Sequence, residues 1–332
     1  MRYLRHLIAA WGLLNSGSNQ ARAHPLAAAR SEALAPVLNV DFPDPSILQD
    51  SDGKWYAFAT NGNGKQVQAA SAPAPQGPWT LLDTDVMPDP GPWTTGKNTW
   101  APDVRKIADG RYVLFYSGES TAGTPGQHCV GTATSGFVLG PYTASSQPLS
   151  CPLDQGGAID PAGYFDEATG TRWVVYKIDG NNKGNGGDCN NGVAPIHSTP
   201  IMLQQMSADD WVTPVGSATQ ILDRTDADGP LVEAPSLARA PDGTYVLLYS
   251  SHCYSSAEYD VKYATSASIA GPYERGAAPL IGTGDLGGLA SPGGATSAPG
   301  ADRLVFHANC PAGRCMFYSG LSASKDKVLL ST

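Results

Sequence analysis

One short pattern returns five times along this chain: a turn, usually Asp-Gly or Gly, followed by an apolar run rich in aromatic residues. The copies are Asp52-Gly-Lys-Trp-Tyr-Ala-Phe, Asp109-Gly-Arg-Tyr-Val-Leu-Phe-Tyr, Gly170-Thr-Arg-Trp-Val-Val-Tyr, Asp242-Gly-Thr-Tyr-Val-Leu-Leu-Tyr and, more loosely, Asp302-Arg-Leu-Val-Phe-His. With Gly53, Gly110, Gly170, Gly243 and Asp302 as markers, the spacings are 57, 60, 73 and 59 residues. A Gly-containing turn before a β-branched and aromatic run is a hairpin signal. Three units also end in a Gly-Pro-aromatic corner, Gly77-Pro78-Trp79, Gly140-Pro141-Tyr142 and Gly271-Pro272-Tyr273. Solenoid repeats are shorter, and a β-sandwich does not give five equal units. Five units with several short strands each predict an all-β, five-bladed β-propeller. The long third interval is an insertion, Asp179 to Gly192, rich in Asn and Gly. It is expected to be a surface loop that rims the pocket, pinned by Cys189, and its deletion is expected to alter substrate preference without preventing folding.

Residues 1–23 do not read as part of this fold. Arg2 and Arg5 precede the apolar run Leu7 to Leu14, and Ala21-Arg22-Ala23 supplies small residues at a cleavage site. That is the pattern of a secretory signal peptide, and the run is too short to span a bilayer. The expected organisation is a leader at 1–23, an Ala-rich lead-in at 24–38 and a single propeller at 39–332, secreted and extracellular. Six cysteines remain in the mature chain: Cys129, Cys151, Cys189, Cys253, Cys310 and Cys315. An even number in an exported protein points to disulfides. The pairing stays open, although a bridge across the hairpin turn between Cys310 and Cys315 is plausible. No CxxC pair suggests zinc. The net charge of −9 argues against nucleic acid, whose affinity depends on Lys and Arg against phosphates. A neutral polysaccharide is compatible. The chain is expected to be a monomer without a membrane partner, and it contains no Asn-x-Ser/Thr sequon for N-glycosylation.

A second pattern, built on an x-Pro step, lies ahead of each repeat. The copies are Asp41-Phe42-Pro43-Asp44-Pro45-Ser46, Trp100-Ala101-Pro102-Asp103-Val104, Ile159-Asp160-Pro161-Ala162, Glu233-Ala234-Pro235-Ser236 and Ser291-Pro292-Gly293-Gly294-Ala295. The first strand of each propeller blade lines the central channel, so these segments converge on one spot. Three of them bring an acid up to the proline, read in one register: Asp44, Asp160 and Glu233. Clustered like charges raise one another's pKa and cost stability unless something uses them. Glycoside hydrolysis does, because it needs one protonated acid and one ionised carboxylate. Asp103 follows its proline and is read as structural. Asp226-Ala-Asp228-Gly229 lacks the later ligands of a calcium loop, with Arg224 and Pro235 where acids would be needed.

These motifs resemble glycoside hydrolase family 43, over nearly the whole mature chain from about Asp41. The resemblance implies a five-bladed propeller that inverts the anomeric centre. It implies Asp44 as general base, Asp160 as the acid that tunes pKa and orientation, and Glu233 as general acid. It further suggests Trp100 and Phe42 as walls of the sugar pocket. His307 is suggested as a neighbour, through water, of a structural Ca2+ in the central channel. No cofactor is needed for the chemistry. One departure stands out: blade five opens with Gly293-Gly294, where many members carry Gly-His. The expected activity is exo-acting cleavage of plant cell-wall polysaccharide, foremost as an α-L-arabinofuranosidase. β-Xylosidase or arabinanase activity is the alternative within the family. A non-catalytic carbohydrate-binding propeller is the alternative of another class, and its mark would be loss of one carboxylate. A retaining enzyme on fructans would open blade one differently from Asp41-Phe-Pro-Asp-Pro.

Overall fold

The computed structural model describes residues 33–298 and 302–331; the leader and residues 24–32 of the lead-in lie outside them. Five four-stranded antiparallel sheets follow one another along the chain. Blade one holds β1 (Ser46–Gln49), β2 (Trp55–Ala59), β3 (Gln68–Ala72) and β4 (Thr80–Leu81). Blade two holds β5 (Trp100–Lys106), β6 (Tyr112–Glu119), β7 (His128–Ser135) and β8 (Thr143–Ala144). Blade three holds β9 (Ala158–Asp166), β10 (Thr171–Ile178), β11 (Ile201–Met206) and β12 (Pro214–Leu222). Blade four holds β13 (Val232–Arg239), β14 (Tyr245–Ser251), β15 (Asp260–Ser266) and β16 (Glu274–Arg275). Blade five holds β17 (Gly293–Ser297), β18 (Arg303–Cys310), β19 (Gly313–Ala323) and β20 (Val328–Ser331). Among the described residues no helix is long and apolar enough to cross a membrane.

The aromatic repeats are the second strands, and their apolar continuity has a packing cause. Side chains alternate across a strand, and here both faces are covered by a neighbouring blade. In β6, Leu114 and Tyr116 pack with Tyr56 and Phe58 of blade one. Val113 and Phe115 pack with Val174 and Tyr176 of blade three. The same division gives a cluster between blades three and four around Val175 and Leu247, and one between four and five around Val246 and Phe306. The fifth cluster closes the ring, joining Ile47 and Ala57 of blade one to Val305 and Met316 of blade five. A strand buried on both faces needs apolar residues at every position rather than at alternate ones.

Among the described residues, no strand is exchanged between the first and last blades. Instead the segment before β1 runs antiparallel along β19: Leu38 bridges Met316, and Phe42 donates its N–H to Arg314 O at 2.8 Å. Asp41 Oδ1 accepts from Arg314 N at 2.8 Å. Phe42, expected at the sugar, is fully buried in the cluster between blades one and five. It is a core residue of the closure, because its backbone is already paired to β19 and its ring turns into that interface.

The cysteines form three disulfides, Cys129–Cys151, Cys189–Cys253 and Cys310–Cys315. The third is the hairpin bridge anticipated from its turn. The second carries the insertion of blade three to the loop after β14. Asn191, fully buried, ties the insertion's far end down, donating to His197 O at 3.0 Å and Pro230 O at 2.7 Å. Asp103 bridges blades two and three, accepting from Arg105 Nε at 2.8 Å and Gly163 N at 2.7 Å.

Candidate active site

The inner ends of the first strands share one backbone device. Asp44, Ala101, Asp160, Ala234 and Gly294 have φ of 54°, 43°, 58°, 49° and 56°, one residue per blade. A side-chain-bearing residue in this left-handed region carries strain of about 1–3 kcal/mol, which persists only where the surroundings hold it. A register shift follows in β5, β9, β13 and β17, so these inner strands bulge there and turn a side chain toward the axis. Asp44 and Asp160 occupy the strained position itself. Glu233 does not. It pairs with Ser250, as Trp100 pairs with Ser117, Ile159 with Lys177 and Gly293 with His307. Glu233 therefore sits one residue ahead of the register in which the three acids were read together, at the position of Trp100 and Ile159. The bulge brings it to the same cavity nonetheless.

The strained residues expose a backbone N–H, and the preceding blade satisfies it with a residue at or near the C-terminal end of its second strand. Thr60 Oγ1 accepts from Ala101 N at 2.8 Å, Ser117 Oγ from Asp160 N at 2.9 Å and Ser250 Oγ from Gly294 N at 2.9 Å. His307 Nδ1 accepts from Asp44 N at 3.0 Å, closing the ring. Blade three carries Lys177 at this place, which has donors only. There Asp160 Oδ2 takes the N–H of Ala234 at 2.9 Å instead, which ties that carboxyl to the turn presenting Glu233.

Asp44, Asp160 and Glu233 line one cavity of about 600 Å³ together with Trp100, Lys177 and Tyr259. A separate hollow of about 370 Å³, further along the same first strands, contains none of the three acids. Burial pushes the Asp44 carboxyl up, but the Arg314 guanidinium, His307 and the Thr60 hydroxyl outweigh it and hold the group below its usual value. Arg314 Nη1 is 3.7 Å from Asp44 Oδ1, and Thr60 donates to Oδ2 at 2.5 Å. Asp160 behaves oppositely: burial, then the charges of Glu233 and Asp44, raise it well above the usual range against the pull of Lys177. Glu233 accepts from Tyr259 OH at 2.9 Å and from Lys177 Nζ at 3.2 Å. Lys177, fully buried, also meets Asp179 at 3.1 Å. Burial alone would lower it, yet Asp179, Glu233 and Asp160 raise it to about 12, so it stays charged.

Trp100 is half-buried in the cavity wall, its ring stacked on His128 at 3.6 Å between centroids. The insertion contributes Asp179, Asn181, Asn182, Cys189 and Asn190 to the same cavity, so it does rim the pocket, held there through Cys189. Gly293 and Gly294 now have a cause. A Cβ on Gly293 would stand 1.9 Å from the Tyr259 ring, and one on Gly294 2.6 Å from His307 Nδ1 and 3.0 Å from Asp44 Oδ1. The space of a second side chain is already taken by Tyr259 and His307.

His307 is fully buried, and desolvation lowers its pKa to about 3. The unfolded imidazole titrates near 6.5, so below that pH the unfolded chain binds the extra proton. His307 therefore contributes stability fully above about pH 6.5 and loses it as pH falls toward 3. The slope reaches at most about 1.4 kcal/mol per pH unit. His307→Gln should flatten urea midpoints over that range, and an unchanged slope would refute the assignment.

Solved structures with the same architecture include a thermostable family-43 glycoside hydrolase, at TM-score 0.74 and 22% identity, covering 90% of this chain and 96% of that one. Another is an endo-arabinase from Bacteroides thetaiotaomicron, at TM-score 0.67 and 20% identity, covering 88% and 98%. By sequence, the chain is 40% identical over 94 residues to a probable arabinan endo-1,5-alpha-L-arabinosidase C of Aspergillus flavus, a match spanning 28% of either chain. It is 24% identical over 263 residues to an extracellular endo-alpha-(1->5)-L-arabinanase 2 of Bacillus subtilis, covering 70% of this chain and half of that one. The sequence profile of Glycosyl hydrolases family 43 matches residues 33–320, nearly the whole described propeller, and the chain belongs to that family.

Proposed function

We propose that the chain hydrolyses α-L-arabinofuranosyl linkages of arabinan with inversion at the anomeric carbon. The observation that carries this reading is the convergence of Asp44, Asp160 and Glu233 in one cavity with unlike environments. Asp44, held ionised by Arg314, takes a proton from water as the water oxygen bonds to the anomeric carbon. Glu233 gives a proton to the glycosidic oxygen as its bond to that carbon breaks. Asp160 keeps the site from carrying three full negative charges and fixes the turn at Ala234 that presents Glu233. Trp100 offers a face to the sugar. Arabinan is favoured over xylan by the Aspergillus and Bacillus relatives, whose names specify arabinan. Those names specify internal cleavage. The expected exo-acting arabinofuranosidase remains the second reading, favoured by the insertion that walls the cavity at blade three. The non-catalytic alternative has no missing carboxylate to support it.

Hydrolysis of linear 1,5-arabinan, an aryl α-L-arabinofuranoside and an aryl β-D-xyloside is the test, with the product anomer followed by NMR. Release of oligosaccharides from arabinan, first appearing as the inverted anomer, is the expected result. Release of arabinose alone would select the exo reading, and exclusive xyloside cleavage or retention would sink the proposal. Secretion is supported by the leader pattern, three disulfides and the relative named extracellular.

The calcium implied by the family meets a particular partner here. His307 Nδ1 accepts from Asp44 N, so the neutral ring carries its proton on Nε2, a buried atom with no partner. That atom can donate to a water, not ligate a cation. Among the described residues no three His, Cys, Asp or Glu side chains gather as a metal site. A Ca2+ in the channel would be held largely by waters, with His307 reaching it through one, and would supply positive charge without entering either proton transfer. EDTA dialysis should lower the melting temperature and calcium should restore it. No stoichiometric calcium by elemental analysis would remove the ion from the account.

A further inference from the structure

Two acceptors in the cavity are left without a donor by the protein itself. Asn61 Oδ1 and Asn181 Oδ1 are buried with no hydrogen-bond partner, and both residues line the cavity. Asn61 follows Thr60 just past the inner end of β2, and its backbone N–H is committed to Thr99 O at 2.8 Å. Asn181 lies in the short helical turn Gly180–Lys183 that begins the insertion, where its backbone O accepts from Asn190 Nδ2 at 2.9 Å. Backbone contacts thus place both residues, while neither amide oxygen is used to hold the fold.

A buried carbonyl oxygen without a donor is costly, and native structures keep few of them. These two reach the cavity from different sides, one from blade one and one from the insertion of blade three. What they lack is a donor, and sugar hydroxyls are donors. An anionic ligand would bring only further acceptors toward two carbonyl oxygens and three acids. Asn61 and Asn98 also border a neighbouring hollow of about 450 Å³ lined by Lys65, Gln66 and Lys97, so Asn61 stands where a glycan chain would leave the cavity over blades one and two.

We infer that Asn61 and Asn181 are specificity-determining residues that accept hydrogen bonds from hydroxyl groups of the bound sugar, one from each side of the cavity. This rests on the carbohydrate reading given above. A site built to pair a hydroxyl discriminates strongly against the analogue lacking it, because the site's own polar group is then stranded.

The experiment measures kcat/KM for wild type, Asn61→Ala and Asn181→Ala on an aryl α-L-arabinofuranoside and on its 2-, 3- and 5-deoxy analogues. For each asparagine, one deoxy substitution should cost the wild type about tenfold or more and cost the matching variant far less. Losses that simply multiply, at every hydroxyl and for both variants, overturn the inference. Melting temperature is a second readout. Removing an unpaired buried acceptor should leave it level or raise it, whereas a clear drop in both variants assigns the residues to the scaffold and also overturns the inference. If wild type prefers the xyloside, the same cycle is run on deoxy-xylosides and only the substrate reading falls. If wild type cleaves neither, the catalytic reading falls, and calorimetry of arabino-oligosaccharides with wild type and Asn181→Ala decides the acceptors: weaker binding by the variant supports them, equal binding or none overturns them.

Discussion

Glu233→Ala should cut hydrolysis of arabino-oligosaccharides by about 10²–10⁴-fold, the span that a positioned general acid contributes. The loss should shrink sharply on an aryl glycoside with a strongly acidic leaving group. A weakly basic oxygen departs with little protonation, so the missing acid matters less. Neighbouring structure should tolerate the change, since Lys177 keeps Asp179 at 3.1 Å and Tyr259 remains stacked on His307. Near-wild-type melting with leaving-group-dependent kinetics is therefore the full expectation. A loss of the same size on every leaving group would remove Glu233 from the proton-donating role.

Lys177→Met should destabilise the fold by about 3–5 kcal/mol, the cost of stranding a buried charge. The cation is fully buried and lies 3.1 Å from Asp179 and 3.2 Å from Glu233, and it opposes the upward shift of Asp160. Without it, the Asp160 carboxyl, already raised by burial and by its neighbours' charges, binds its proton still more tightly in the folded state. A group with a raised folded pKa gives stability at low pH and loses it as pH climbs through that pKa. The deficit of the variant should accordingly be smallest in acid and grow toward neutrality, as read from urea midpoints against pH. A loss below about 1 kcal/mol, or one independent of pH, would show that the pairing is compensated elsewhere.

The repeat made the architecture legible because each aromatic strand is sandwiched between two blades and must be apolar on both faces. The acids were legible for a related reason, since segments at equivalent places in a ring must converge. Glu233 was placed in the wrong register: its distance from Pro235 is one residue longer than that of Asp44 or Asp160 from the following proline, and only strand pairing shows what that step does. Phe42 was misread because proximity to an acid in sequence says nothing about which way a ring faces once its backbone is paired to β19. Lys177 was missed although a signal existed. Counting seven residues on from Gly53, Gly110, Gly170 and Gly243 sets Thr60, Ser117, Lys177 and Ser250 in one column, where an ammonium among hydroxyls is the anomaly. The orphaned oxygens of Asn61 and Asn181 left no mark in the sequence, since satisfaction of a polar atom is a property of its surroundings.

The ring has a seam, and Asp44, the proposed base, lies on it. Asp44 belongs to the segment that clasps blade five, and its backbone amide and carboxylate are held by His307 and Arg314, Asp44 and His307 standing 263 positions apart in the chain. Contacts so distant along the chain form late, after the intervening loop entropy has been overcome. A chain still growing from its N-terminus would have its first four blades available while Asp44 had only Thr60 of its own blade as a partner. Activity should thus switch on only as the last blade docks, which makes turnover itself a reporter of circle completion: refolding followed by hydrolysis should lag refolding followed by tryptophan fluorescence.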